Sequence, residues 1–91
     1  MVSVNRGSTL RLKATWKDFL DAYADPSAQT ITLTPPTGAA IDAGAPTKFD
    51  TGIWYNDYVV AAAAVTGLWG VSWKGTIATK DEILLGYFDV V

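Results

Sequence analysis

The 91-residue chain contains no cysteine and no histidine. Without cysteine there is no disulfide framework, no thiolate nucleophile and no thiolate-ligated zinc. Without histidine the usual general base is missing, together with the commonest metal ligand and any Ser-His-Asp triad. Charge is sparse: 18% of residues, with seven Lys or Arg against nine Asp or Glu, a net charge of −2 and a pI near 4.7. That balance argues against nucleic acid, which selects for a basic stripe. Arg6, Arg11, Lys13 and Lys17 do cluster early, but Asp18 and Asp21 follow at once, and a solvated strand face accounts for them. The longest apolar run, Tyr58 to Val65, is eight residues, far short of the ~20 that span a bilayer. The start, Met-Val-Ser-Val-Asn-Arg-Gly, has neither the basic nor the apolar region of a secretory signal. The expectation is a complete, soluble product made in the cytoplasm, with no membrane partner.

Chemistry fares no better in what remains. Glu82 is the only glutamate and sits beside Asp81 in an expected turn, with no second carboxylate set for glycosidase work. Gly67-Leu68-Trp69-Gly70 lacks the spacing and the Lys-Ser/Thr of a phosphate loop. No enzyme and no cofactor are expected. Asp18, Asp21 and Asp25 fall close together in one connection, where hard cations such as Ca²⁺ find oxygen ligands. Their spacing is not that of an EF-hand, and Asp is also simply a turn former.

What the chain does have is hydrophobicity, 49% of residues, with four tryptophans. It is arranged in period two. From Ser8 to Trp16, Leu10, Leu12, Ala14 and Trp16 point one way while Thr9, Arg11, Lys13 and Thr15 point the other, as in a half-buried strand. Thr30–Thr34 repeats the pattern around Ile31 and Leu33 and stops at Pro35-Pro36-Thr37-Gly38, where proline cannot continue a ladder. Leu68–Lys74 alternates with Trp69, Val71 and Trp73 on its apolar face, and Ile83–Val91 closes the chain. Asp50-Thr51-Gly52 turns into Ile53–Val60, and residues 2–5 supply a short edge. Six or seven short strands with turns every 8–12 residues predict an all-β sandwich or small barrel in a single domain, 1–91. The predicted core is Leu10, Leu12, Trp16, Ile31, Leu33, Trp69, Val71, Trp73, Phe88 and Val90. One stretch competes: Trp16, Phe19, Leu20 and Tyr23 sit at i, i+3, i+4 and i+7, so a short helix at 16–24 is the alternative to a long connection.

Read in order, the segments Arg6–Asp18, Ala24–Gly38, Asp50–Tyr55, Thr66–Gly75 and Tyr87–Val91 resemble small immunoglobulin-like β-sandwich proteins of bacteriophage structural gene clusters. There an Arg-Gly-x-Thr opening leads into a strand, and an Asp-Pro-Ser turn precedes a Thr-rich strand. A Gly-x-Trp-x-Val-x-Trp strand and a closing Phe-x-Val follow. The resemblance implies an immunoglobulin-like sandwich of about seven antiparallel strands, with Trp54 as a further core aromatic. It also implies a place in the virion, as a capsid decoration or head–tail accessory subunit.

Two strands carry more hydrophobicity than a single buried face needs. In the last, Leu84, Phe88 and Val90 form one face and Ile83, Leu85 and Tyr87 the other; in 53–60, Tyr55 and Val59 duplicate the apolar character. The second face is either covered by the 16–25 or 39–47 connection or is an interaction surface. Ile83, Leu85, Tyr87, Tyr55 and Val59 are the expected interface residues, toward virion proteins or further copies of the chain. The alternative is a lectin- or adhesin-like recognition module using loop aromatics and aspartates, with calcium.

Overall fold

Short alternating runs punctuated by Gly, Pro and Asp become strands, and the computed structural model, which describes residues 2–91, contains eight of them and no helix among those residues. They are β1 (Val2–Val4), β2 (Thr9–Thr15), β3 (Gln29–Thr34), β4 (Ile41–Asp42), β5 (Thr47–Asp50), β6 (Ile53–Val59), β7 (Gly67–Ile77) and β8 (Lys80–Val90). One sheet runs β1-β8-β7-β3-β4 and the other β2-β6-β5. Every pairing is antiparallel except β1 on β8, which is parallel. Setting β2-β6-β5 against β3-β7-β8 reproduces the B-E-D and C-F-G sheets of an immunoglobulin-type sandwich.

The core follows the alternation. Trp16, Ile31, Leu33, Trp69, Trp73, Phe88 and Val90 are buried, joined by Val4, Ala14, Val60 and Ile77. Leu10, Leu12, Trp54 and Val71 pack on this cluster but stay partly exposed. For Leu10 and Leu12 the reason is position: β2 is an edge strand, so one flank of each opens sideways. Trp16 lies flat on Gly75, where an added Cβ would come within 2.8 Å of the indole. The Gln29 side-chain oxygen accepts from the ring N–H of Trp16 at 3.1 Å and of Trp73 at 3.0 Å. One amide thus satisfies two buried indoles and ties the chain leaving β2 to the sheet that holds β7, where a disulfide would otherwise serve.

The 16–24 stretch is the long connection and not the alternative short helix. The Asp18 carboxylate accepts from the backbone N–H of Leu20 and Ala22, Asp21 takes a φ of 64°, and Lys17 bridges back to Tyr23. An aspartate that captures its own following N–H groups offers the backbone an alternative to helical bonds, and a left-handed residue ends the turn. Trp16 goes to the core with β2, while Phe19 and Leu20 stand 86% and 76% exposed. The connection at 39–47 also contains structure, since β4 pairs with β3 and β5 begins at Thr47. In 53–60 the alternation is regular, with Asn56 buried and Tyr55 outward; the irregularity lies in β5, between Lys48 and Asp50.

Candidate functional site: an open strand edge

β7 and β8 form a long hairpin closed by two residues, Ala78 and Thr79, with φ of 50° and 65°. Such a type I′ turn places Ile77 and Lys80 in a hydrogen-bonded pair, so Lys80 directs its backbone polar groups at β7. At the other end Val91 donates its N–H to Val4 and its carbonyl accepts from Arg6. Counting back from both ends, even residues of β8 face β7 and odd residues face the opposite edge. β1 covers that edge only at Phe88–Val90. In that parallel register Val2 sits between Tyr87 and Asp89 and takes the Tyr87 carbonyl, so the open part of the edge carries the N–H and C=O groups of Asp81, Ile83 and Leu85.

Natural edges are usually blunted by lysine, proline or a bulge. On β2, Arg11 and Lys13 stand on the outer face and lean across the sheet, Arg11 paired with Asp57 of β6 through two contacts of 2.7 and 2.8 Å and lying 4.2 Å above the Tyr55 ring, Lys13 6.0 Å from the Phe49 ring of β5. That pairing holds the Asp57 carboxyl below its ordinary range. Between Glu82 and Tyr87, β8 has no lysine, no proline and no register shift.

Ile83, Leu85 and Tyr87 lie on the outer face of the five-stranded sheet, all well exposed, with Leu85 at 74%. Neither the 16–25 nor the 39–47 connection covers them. Their cross-strand neighbours are Lys74, Ser72 and Gly70, and beyond these Thr30, Thr32 and Thr34, so the apolar stripe is one strand wide. On the inner face Leu84 is 37% exposed and lines a cleft of about 210 Å³ between the sheets, with Leu10, Leu12, Val71 and Trp73. Tyr55 and Val59 are on the outer face of the other sheet. The five expected interface residues thus fall on opposite sides of the molecule, and only three form a patch with the open edge.

The three aspartates of the 16–25 connection do not converge. Asp18 caps its own loop, Asp21 lies 3.5 Å from Lys17, and Asp25 accepts from the Gly52 N–H at 2.8 Å, Lys48 at 2.6 Å and the Trp54 indole at 3.2 Å. Among the described residues no three metal-capable side chains come together. The Gly52 N–H, then Lys48, hold the Asp25 carboxyl below its ordinary value. The sequence reading left the 16–24 connection without a residue singled out at its tip, and so missed Phe19–Leu20; the signal available was an Asp two residues before Leu20, able to bond its own loop.

Comparison with protein-family models finds no match, and comparison with curated proteins finds none.

Proposed function

We propose that this chain is a non-enzymatic assembly protein, a bacteriophage virion component of the capsid-decoration or head–tail accessory type. It binds other virion proteins through the outer face and edge of β8. The observation that carries the reading is the apolar stripe Ile83-Leu85-Tyr87, exposed beside an unpaired and unguarded strand edge. Apolar patches beside open edges are where sheets accept partners. The sequence resemblance supplies the virion setting. The Phe19–Leu20 tip, held by Asp18, is a second apolar contact at the far end of the loop system.

The test is co-expression with the products of the genes that flank this one. Capsid, portal or tail proteins among them, and a complex that survives gel filtration, are the expected result. Leu85→Lys should abolish that complex and leave the melting temperature within a few degrees of the parent, because the side chain has no cover to lose. Flanking genes that encode no virion protein, or a chain that stays free in their presence, would overturn the proposal.

A further inference from the structure

The geometry points to the free edge of β2 as a docking site for an extended segment of a partner protein, with apolar side chains at alternate positions and acidic ones between them. The inference goes beyond the assembly reading. It concerns the other sheet and depends on no contact with the outer face of β8.

The backbone of β2 defines the occupant. Just outside the β2–β6 register, Val60 donates its N–H to the Ser8 carbonyl and Trp16 donates its own to Gly52. Even residues of β2 therefore bond to β6, and odd residues turn their polar groups the other way. Thr9, Arg11, Lys13 and Thr15 each present one N–H and one C=O along this seven-residue strand. Among the described residues no other backbone bonds to them on that side. A row of alternating donors and acceptors is satisfied along its length by another extended backbone. In an immunoglobulin-type sandwich the first strand lies here, beside the equivalent of β2; in this chain β1 pairs with β8 instead. The edge has no proline and no register shift, and its two cations leave it unguarded because they lean toward β6 and β5.

The side chains of the occupant follow from the two faces of the sheet. Inward, Leu10 and Leu12 open sideways into the cleft of about 210 Å³, with Val71, Trp73 and Leu84 across from them. Since a cavity of ~150 Å³ holds a benzene ring, this one has room for about two small aliphatic side chains. A strand on the β2 edge places every second side chain over that cleft. Outward, Arg11 is held by Asp57, whereas Lys13 forms no ion pair among the described residues. A carboxylate facing Lys13 from the added strand supplies the opposite charge that cross-strand neighbours favour. Backbone, cleft and charge thus select one kind of segment: extended, apolar on its inner face and acidic on its outer face.

The probe is the blocked peptide Thr-Val-Glu-Val-Glu-Val-Thr, with a rearranged peptide of the same composition as control. In an NMR titration up to about 1 mM, suited to so short a strand, the amide signals of Thr9, Arg11, Lys13 and Thr15 should shift and their hydrogen exchange should slow. The control should leave them unchanged. Lys13→Glu should weaken binding about fivefold, and replacing both peptide glutamates with lysine should restore it. Lys13→Pro, which removes one outward N–H and no bond to β6, should abolish binding; if that variant loses its strand content, the charge exchange decides alone. Unmoved β2 amides, an equal response to the control, or a charge exchange without effect overturns the inference. Shifts confined to Asp81–Leu85 place the strand on β8 and also overturn it. A chain that takes the peptide along β2 yet binds no virion protein keeps this inference and loses the assembly reading. A chain that binds a virion protein but not the peptide does the reverse.

Discussion

At Gly75 a single carbon decides whether the core closes. The Trp16 indole occupies the space a Cβ would need, and that ring is fixed by its hydrogen bond to Gln29 and by burial on all sides. Gly75→Ala is expected to cost about 1–3 kcal/mol by overpacking, read from chemical denaturation. A loss below a few tenths would show that Trp16 can move. Asp25 works differently, holding the Gly52 N–H, Lys48 and Trp54 from one carboxylate. Its folded pKa lies below the ordinary 3.8. The unfolded chain therefore takes up its proton first as the solution is acidified. The stability this carboxylate contributes is present above pH 3.8 and is lost as pH falls through the depressed folded value. Asp25→Asn should be less stable than the parent at pH 7, and the gap should narrow toward pH 2. A constant gap would mean that the charge is irrelevant. Neither role is visible in the sequence, where Gly75 reads as a break in a strand and Asp25 as half of an Asp-Pro turn.

The β7–β8 hairpin is the element on which the functional reading depends, and its turn is strained. Thr79 is β-branched and sits at a φ of 65°, a region such residues avoid. Type I′ turns favour glycine there. Thr79→Gly is expected to raise stability by about 0.5–1 kcal/mol, measured by thermal or urea unfolding; a decrease would argue against this turn. The loop between β2 and β3 makes the opposite point. Phe19 and Leu20 are apolar but touch little, so replacing both with serine should change stability by less than about 0.5 kcal/mol while weakening any complex with a virion partner. A large destabilisation would place them in a core they do not occupy in this structure. Helical spacing at 16, 19, 20 and 23 suggested a stripe, yet spacing cannot register that Asp18 will bond its own backbone or that Trp16 is claimed by β2.

Over the whole molecule, the 11 residues of β8 span ~37 Å at ~3.4 Å each, close to the longest dimension of 41 Å. The hairpin therefore runs the length of the sandwich; toward its turn β7 stays buried at Trp73, Gly75 and Ile77, while β8 is exposed from Lys80 to Leu85. The core itself crosses between the sheets through Trp16, Gln29 and Trp73. Unfolding should therefore be a single transition, with tryptophan fluorescence and far-ultraviolet circular dichroism giving coincident curves. Separate transitions would show that the sheets come apart independently.

Period-two alternation is a property of consecutive residues, so the sequence alone was enough to establish the longer strands, the buried Trp16, Trp69 and Trp73 and the all-β class, though not the short β4 and β5. The absence of histidine and cysteine likewise narrowed the chemistry without reference to any fold. Whether the edge of a doubly apolar strand is covered depends instead on which strands lie beside it. β1 pairs with β8 at Phe88–Val90 and leaves Asp81–Leu85 open, whereas β6 is flanked on both sides by β2 and β5. Tyr55 and Ile83 look alike in the sequence for this reason. Only the tertiary pairing, made between residues 86 positions apart in β1–β8 and 38 to 50 apart in β2–β6, separates a covered strand from an open edge.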